Sequence, residues 1–209
     1  MNGSTSKKTV VVGVTGASGA VYARRLVQCL CESGVRVHLI VTPNGKRLFV
    51  DELGMTEVSA ATILGRDCDH LTLHAYRNVG DTLGSGSYAT DGMIICPCSS
   101  NTLASLAAGL AGNLLDRAAA VTLKEGRKLV VVIREMPMSR IDLLNSLRLS
   151  EAGATICPAA PGFYMMPTTI DELVDFVVGK VLDLVGVPHT LNTRWADQLK
   201  ADGPQHQKV

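Results

Sequence analysis

The sequence lacks the charge pattern of a nucleic-acid-binding protein. Its 20 basic residues are nearly balanced by 19 acidic ones, which leaves a net charge of +1, and no basic run stands out along the chain. Binding to the phosphates of DNA or RNA requires a patch or stripe of positive charge. Nucleic acid is therefore not an expected partner.

Long hydrophobic runs are also missing. The polar residues 1–8 lead directly into a short apolar run at 10–14. That run is too short for the apolar part of a secretory signal peptide, and a membrane-spanning helix needs roughly 20 such residues. We expect a cytoplasmic protein without a membrane partner.

The cysteines lack metal-ligand spacing. Neither Cys29 with Cys31 nor Cys96 with Cys98 has the two-residue spacer of a zinc or thioredoxin-like site, and the five histidines show no ligand spacing with them. Several of the six cysteines fall inside apolar patterns, and no export signal accompanies them. Reduced thiols are therefore expected rather than disulfides, and no metal is predicted.

The sequence does contain an alternation of apolar, β-branched runs with helical patterns. The predicted strands are 9–14, 35–41, 93–96, 128–133 and 154–157. The predicted helices are 22–34, 43–53, 57–66, 103–111, 117–125, 139–152 and 170–185, whereas 67–91 is expected to be a long excursion. Near-continuous apolar strands alternating with helices are typical of a parallel sheet covered on both faces. The predicted fold is α/β: a single doubly wound, Rossmann-like domain with a mostly parallel sheet.

The unusual loops of this pattern all follow predicted strands. They are 15–20, 42–52, 97–102, 134–139 and 158–168. Ligands of doubly wound proteins collect at the carboxyl ends of the strands. We therefore expect the functional residues in these loops.

The first strand-to-helix junction, residues 13–20, carries three glycines and two hydroxyls. Free backbone N–H groups and the helix dipole favour an anionic ligand at such a junction. The spacing GxxGxxG differs from the dinucleotide fingerprint, and no acidic residue ends the second strand, so NAD is not favoured. A tight turn that merely requires glycine is the alternative interpretation.

A second cluster of hydroxyl and amide groups lies at 99–102, again at a predicted helix N-terminus. Such a cluster can bind a phosphate without a positive charge. Simple N-capping by Ser99 is the alternative, although capping accounts for one such residue rather than four. Thr42 followed by Pro43 is a further predicted N-cap.

Several charged residues admit two interpretations. Arg134 and Glu135 follow the most apolar strand, where an arginine can bind a phosphate and a carboxylate can handle protons, or where both are simply solvated. Arg117 and Lys124 lie seven residues apart and so share a helix face. Physical reasoning alone favours a solvated surface for that pair, and Glu52 would pass as an ordinary surface carboxylate.

Four ordered segments together resemble the UbiX-type flavin prenyltransferases. The segments are TGASGA at 15–20, PCSSNTL at 97–103, LLDRAAAVTLKEGRKLVVVIREMPMS at 114–139 and PAAPGFYMMP at 158–167, and the similarity runs from about residue 9 to 195. The resemblance implies that dimethylallyl monophosphate alkylates reduced FMN at N5 and C6, with phosphate as the leaving group. The product, prenylated FMN, would pass to a UbiD-type decarboxylase.

The resemblance also implies an organisation of the chain. It identifies 9–187 as a flavin-binding domain between a flexible N-terminus, 1–8, and a partly ordered C-terminal tail, 188–209. It implies no metal. Members of the family typically form large homo-oligomers, often dodecamers, with active sites at subunit interfaces, so a neighbouring chain is expected to contribute ligand contacts.

Roles for individual residues follow from the same resemblance. It implies FMN contacts for Gly16, Ala17, Ser18, Thr42, Ser99, Ser100, Asn101, Thr102 and Arg134. It implies catalytic roles for Ser18, Glu52, Lys124 and Glu135. It places Arg117, Lys124, Tyr164 and Lys180 around the prenyl phosphate, where cations and a phenol can stabilise the departing charge. The solvated-surface interpretation of Arg117 and Lys124 is revised accordingly.

The sequence departs from the family pattern at three places. Position 180 is lysine where many relatives have arginine, which keeps the charge but loses the bidentate fork. The segment SRIDLLNSLRLS lacks the commoner histidine at its helix start, and GSGSYATDG at 84–92 matches only part of the usual serine loop. None of these changes removes a charge that the mechanism needs.

Two other functions stay open at this point. A flavin-dependent cysteine decarboxylase shares the fold and FMN, and PCSSNT resembles its PASANT motif. Such an enzyme should carry an early catalytic histidine and a PxMN motif, whereas His38 lies in a strand pattern and the late loop reads REMPMS. A non-catalytic FMN-binding or scaffold subunit is the other alternative. Such a subunit would not need the combination of Glu52, Lys124, Glu135 and Tyr164.

Overall fold

A parallel β-sheet forms the centre of the protein. The computed structural model describes residues 7–191 and 193, and most of the predicted N-terminal segment 1–8 and C-terminal tail 188–209 lies outside them. The strands are β1 (Thr9–Val14), β2 (Arg36–Val41), β3 (Leu71–His74), β4 (Gly92–Cys98), β5 (Lys128–Ile133) and β6 (Thr155–Pro158). Their order is β3-β2-β1-β4-β5-β6, and all neighbouring pairs are parallel.

Helices cover both faces of this sheet. They are α1 (Ala20–Glu32), α2 (Pro43–Leu53), α3 (Ala60–Leu64), α4 (Ser100–Ala107), α5 (Leu114–Lys124), α6 (Arg140–Glu151) and α7 (Ile170–Leu184). One apolar cluster joins α1, α2, α3 and α7 to one face, and a second joins α4, α5 and α6 to the other. Neighbouring strand residues alternate between the clusters, so that Val10 and Val12 face the first and Val11 the second. The predicted doubly wound α/β fold is confirmed.

The excursion predicted at 67–91 was wrong in one respect, because it contains the edge strand β3 and a short 3-10 helix, Thr82–Gly84. The strand has only four residues, and just one of them, Leu71, is buried. A strand this short, with two of its four residues polar, carries little of the apolar pattern by which strands are recognised. Its backbone pairing with β2 decides its structure instead.

Capping residues set the helix starts. Thr42 caps α2 by accepting a hydrogen bond from Gly45 N, with Pro43 at the first helical position, as predicted. Ser99 caps α4, which therefore begins at residue 100 rather than 103. Asn113 caps α5 by accepting from Asp116 N, and this helix also begins three residues earlier than expected. The apolar pattern alone misses polar first turns that a cap stabilises.

The strand order reverses at β1, because the chain passes to β2 on one side and later to β4 on the other. Thr15, fully buried just after β1, joins the two central strands at this point. Its hydroxyl donates to Pro97 O at 2.8 Å and accepts from Ser99 N at 2.8 Å. The loops after β1 and β4 are therefore held together where the sheet divides.

His38 is a buried polar residue of β2, only 7% exposed. Its Nδ1 lies 2.8 Å from Nε2 of His74 on β3, and its Nε2 lies 2.8 Å from the hydroxyl of Tyr88. Burial, assisted by the nearby His74 and Arg36, lowers the pKa of His38 to about 4. The interpretation of His38 as a structural histidine is supported, because both ring nitrogens are engaged and the ring is neutral near pH 7.

Within the described part of the chain, the helices are either too short or too polar to cross a lipid bilayer.

Replacing Thr15 with Val should lower the free energy of unfolding by about 1–3 kcal/mol, because Val preserves the shape but leaves the buried Ser99 N–H without an acceptor. Urea denaturation at fixed protein concentration measures the change. Thr122→Val is the matched control: Thr122 is also buried, but its hydroxyl donates to Ala118 O within α5. A hydrogen bond from a threonine hydroxyl to the carbonyl four residues earlier in its own helix adds little stability. Equal decreases in the free energy of unfolding of the two variants would therefore contradict the role given to Thr15.

Acid should destabilise the protein partly through His38. Between pH 6.5 and about 4 the unfolded imidazole binds a proton that the folded one does not. The free energy of unfolding therefore decreases as pH falls through this window, and His38 accounts for up to about 3 kcal/mol of the decrease. Above pH 6.5, His38 contributes no pH dependence.

His38→Asn should flatten that pH dependence, measured by urea denaturation from pH 4 to 7.5. His70→Asn, which leaves His38 in place, is the control. A slope unchanged in His38→Asn would contradict the prediction.

Candidate functional site

A cleft of about 420 Å³ opens at the carboxyl edge of the sheet, where the strand order reverses. Its lining residues are Gly16, Thr42, Pro43, Asn44, Tyr76, Ser99, Asn101 and Thr102. They come from the loops or helix starts after β1, β2, β3 and β4. The predicted gathering is therefore observed for the loops 15–20, 42–52 and 97–102, whereas 134–139 and 158–168 contribute no residue to the lining of the cleft. Asn44 and Tyr76 were not predicted; Asn44 lies beside the predicted cap Thr42, whereas Tyr76 follows the strand that the sequence pattern missed.

The turn after β1 needs its glycines for geometric reasons. A Cβ on Gly16 would lie 2.5 Å from Asn44 Cβ, and Gly19 has a φ of 117°, which side chains rarely adopt. The tight-turn interpretation therefore holds for these two positions. Ala17 is buried and Ser18 is exposed, and within the described residues no acceptor meets the backbone N–H groups of 16–18.

Glu52 lies at the N-terminus of α1, although it belongs to the last turn of α2. Its carboxylate accepts hydrogen bonds from Gly19 N at 2.9 Å and from Ala20 N at 2.8 Å. It is therefore more than an ordinary surface carboxylate. The N-terminus of α1 favours an anion, and at these two amides that anion is the carboxylate of Glu52.

The N-terminus of α4 combines capping with free donors. Ser99 accepts from Thr102 N at 3.4 Å, which supports the capping interpretation for Ser99, and the side chain of Thr102 is buried. Ser100 donates from its hydroxyl to Glu135 at 3.0 Å, which joins α4 to the loop after β5. Asn101 is exposed and lines the cleft.

Arg134 brings a partly buried cation to the same edge of the sheet. Its Nε is buried without a hydrogen-bond partner among the described residues. Its Cγ lies 3.9 Å from the position of a Cβ on Gly19, so it is close to the turn after β1. Burial raises the pKa of the neighbouring Tyr22, and the charge of Arg134 opposes that shift.

These features fit a ligand that carries a phosphate and a polar ring system, as FMN does. The cleft has the size of a small-molecule site, which commonly measures 300–1,000 Å³. Open backbone donors of 16–18, the start of α4 and the unpaired Nε of Arg134 offer hydrogen bonds that a phosphate or ring carbonyls would accept.

Arg117 and Lys124 do not reach this cleft. They lie on the exposed side of α5, where Arg117 packs over Gly84 and Lys124 pairs with Glu125 at 3.5 Å. Since α5 leads into β5 of a parallel sheet, its last residue is at the opposite edge of the sheet from the cleft. The helix spans about 15 Å from its first to its last residue.

Tyr164 and Lys180 occupy a third region, beside the edge strand β6. The Tyr164 ring meets Phe176 edge to face, with ring centroids 5.5 Å apart. Lys180 on α7 is close enough to Cys157 of β6 for its charge to oppose the rise in the pKa of that thiol caused by burial. A single chain therefore does not bring the four predicted prenyl-phosphate residues together with the cleft.

The cysteine nearest the cleft is unsuited to nucleophilic chemistry. Cys98 precedes the hydroxyl cluster, but complete burial raises its pKa far above neutral pH. All six cysteines are free thiols. In the described ranges, no group of three or more histidine, cysteine, aspartate or glutamate side chains is arranged to hold a metal ion.

Comparisons with known proteins agree with this geometry. The Flavoprotein family model matches residues 1–182. The flavin prenyltransferase UbiX of Halalkalibacterium halodurans is 45% identical over 196 residues, which cover 92% of this chain and 95% of the relative.

Two solved structures are also similar. A dodecameric FMN-dependent UbiX-like decarboxylase from Escherichia coli O157:H7 is 43% identical, with a TM-score of 0.81 over 90% of this chain and 98% of that one. AnUbiX (PadA1) in complex with FMN and dimethylallyl pyrophosphate is 33% identical, with a TM-score of 0.78 over 89% and 98% of the two chains. With its cleft at the switch point of a flavoprotein sheet, this chain belongs to the UbiX-type flavin prenyltransferases of the flavoprotein family.

Proposed function

We propose that this protein joins the dimethylallyl group of dimethylallyl monophosphate to N5 and C6 of reduced FMN and releases prenylated FMN. The observation that carries the proposal is the cleft at the ends of β1 and β4 in a member of this family, because hydroxyl and amide groups line it and the unpaired Nε of Arg134 lies at the same edge of the sheet. Bound reduced FMN supplies the nucleophilic atoms N5 and C6. The residues of this chain bind and orient the two substrates and handle the protons.

The cleft residues hold and orient the flavin in this proposal. The FMN contacts are Gly16, Ala17, Ser18, Thr42, Ser99, Ser100, Asn101, Thr102 and Arg134. The start of α4 suits a phosphate, because its dipole and its first N–H groups are not occupied by a carboxylate, in contrast with those of α1. Arg134 suits a ring carbonyl, since its buried Nε needs an acceptor.

Two carboxylates, those of Glu52 and Glu135, and the hydroxyl of Ser18 are proposed to handle protons or to position the ligands. Glu52 is fixed by two backbone N–H groups beside Ser18, which leaves its remaining lone pairs free to accept the proton lost on ring closure. Glu135, held by Ser100, lies at the other side of the α4 start and serves as a second positioning or proton-handling group. Lys124 completes the proposed catalytic set by stabilising the departing phosphate.

The prenyl phosphate is proposed to lie among Arg117, Lys124, Tyr164 and Lys180. These residues lie in two regions of one chain, α5 and the β6–α7 side, and none of the four lines the cleft. We therefore propose a homo-oligomer, with a dodecamer as the expected size, in which neighbouring subunits complete each site. Its support is the exposed apolar face of α6, which presents Ile141, Leu143, Leu144 and Leu147.

The wider role follows from the product. Prenylated FMN is a cofactor rather than an end product, so a UbiD-type decarboxylase is the proposed recipient. We also propose a cytoplasmic location, because the six free thiols suit a reducing compartment. Residues 9–187 are proposed as the catalytic flavin-binding domain.

The competing functions have less support. A cysteine decarboxylase would need a catalytic histidine early in the chain, whereas both ring nitrogens of His38 are engaged away from the cleft. A non-catalytic flavin-binding subunit would have no use for a carboxylate such as Glu52, held at fixed orientation next to Ser18.

The direct test is anaerobic incubation of the purified protein with reduced FMN and dimethylallyl monophosphate, followed by mass spectrometry of the flavin. The expected product carries one added C5H8 unit. Release of CO2 from a cysteine-containing peptide without that adduct would overturn the proposal.

Glu52→Gln should still bind FMN but form the adduct at least about 100-fold more slowly, because the amide retains one acceptor oxygen for the α1 N-terminus but cannot take up a proton. Fluorescence titration with FMN and the same mass assay measure the two effects. Asp51→Asn, a neighbouring change in a residue that pairs with Arg47 on the helix surface, is the control. Unchanged turnover in Glu52→Gln would remove Glu52 from the mechanism.

Shared active sites can be tested with mixed oligomers. Glu52→Gln and Lys124→Ala should each be poorly active alone, yet their co-assembly at equal amounts should restore about one quarter of wild-type activity, because that fraction of sites draws both intact residues from different chains. Co-assembly of Lys124→Ala with Arg117→Ala, two changes on the same helix, should restore none. Absence of recovery in the first mixture would place Glu52 and Lys124 of one site in the same chain.

A further inference from the structure

Four polar side chains outside the cleft form one continuous series of hydrogen bonds, here named the histidine chain: Tyr88, His38, His74 and Asp81. The Tyr88 hydroxyl lies 2.8 Å from His38 Nε2, His38 Nδ1 lies 2.8 Å from His74 Nε2, and His74 Nδ1 lies 2.9 Å from Asp81 Oδ2. Each neutral imidazole donates one hydrogen bond and accepts one. Donation from the Tyr88 hydroxyl to His38, from His38 to His74 and from His74 to the Asp81 carboxylate gives these bonds a single direction, and every ring nitrogen is paired.

The two ends of the histidine chain enclose a short loop. Asp81 begins it and uses its other oxygen, Oδ1, to accept from Leu83 N at 3.1 Å, which caps the 3-10 helix. Tyr88 ends it. Arg127 adds a clamp by donating to Tyr88 O at 2.9 Å and to Gly86 O at 2.8 Å. Residues 84–88, the serine segment, are therefore anchored to the sheet through the histidine chain and to Arg127, which lies between α5 and β5.

The serine segment lies along the face of α5 that carries the two proposed phosphate ligands. Gly84 is buried under Arg117, whose Nε lies 3.0 Å from the position of a Cβ on Gly84. Gly86 lies against Glu125, the ion-pair partner of Lys124. The segment thus extends from one cation to the other, and its two serine hydroxyls, Ser85 and Ser87, are hydrogen-bonded to each other at 2.8 Å.

We propose that the histidine chain is a positioning network that holds the serine segment against α5, so that Arg117, Lys124 and this segment meet the phosphate of the allylic substrate in a fixed arrangement. The inference rests on the proposed function, which assigns Arg117 and Lys124 to that phosphate. A loose segment would have to be ordered when the phosphate binds, and the conformational freedom lost at that step would weaken binding. The histidine chain orders the segment when the protein folds, so this freedom is not lost when the phosphate binds.

Two variants interrupt the histidine chain with little change of shape. Asp81→Asn keeps the oxygen that caps Leu83 but presents an NH2 group to His74 Nδ1, which opposes the direction of the chain. Tyr88→Phe removes only the terminal hydroxyl. Asp91→Asn is the matched control, because Asp91 ends the same connection and accepts from Thr9 N at 2.7 Å, outside the histidine chain.

For both interrupting variants we expect the KM for dimethylallyl monophosphate to rise about tenfold, with kcat and the FMN dissociation constant within about twofold of wild type. Hydrogen exchange of the amides at 84–88, measured by mass spectrometry on the intact protein, should accelerate about tenfold. The control should change none of these quantities.

Unchanged KM in both variants would overturn the inference, whether or not exchange accelerates. A parallel loss of FMN affinity would also overturn it, since that result indicates general support of the fold. A wild-type protein that forms no adduct would refute the proposed function instead. Calorimetric titration of wild type and variants with dimethylallyl monophosphate would then decide the inference, because equal affinities would overturn it.

Discussion

The hydroxyl of Thr15 is the interaction on which the candidate site most depends. It joins the ends of the two central strands, β1 and β4, at the place where the chain turns to opposite sides of the sheet. The helices that follow these strands pack on opposite faces of the sheet, so besides the pairing of the strands only this hydroxyl and the hydrogen bond from Thr15 N to Pro97 O, 3.2 Å long, are observed among the described residues to join the two loops directly. A buried hydroxyl that donates and accepts at once fixes their separation, and the cleft is the space that remains between them.

The two helix N-termini at this cleft are used differently. At α1 the carboxylate of Glu52 accepts from the first amides, so the dipole of that helix stabilises a group of the protein. At α4 only Ser99 caps the helix, and the exposed Asn101 leaves the approach open to a ligand. The start of α4 is therefore the more favourable place for an anionic ligand, because a carboxylate already lies at the start of α1.

The sequence predicted most of the fold, because its central strands are apolar on both faces and its helices have clear caps. It missed β3, whose four residues depend on pairing with β2 rather than on their own pattern. It also placed Ser18, Glu52 and the 99–102 cluster at one edge of the sheet, since the carboxyl ends of parallel strands must lie together. It did not show that Arg117 and Tyr164 lie away from the cleft, because the distance between residues far apart in the sequence is set by tertiary packing rather than by local periodicity. Thr15 escaped notice because a single threonine after a strand looks like any turn residue.

Four large apolar side chains on α6 remain exposed in a single subunit. For the proposed homo-oligomer, these exposed side chains matter most in the period between synthesis of a subunit and its assembly. A newly folded subunit carries an apolar face that can adhere to any similar surface, and the correct partner must arrive before an incorrect one. Encounter with the correct partner is faster when more subunits are present, so the yield of intact oligomer depends on the rate of production as well as on the stability of the fold.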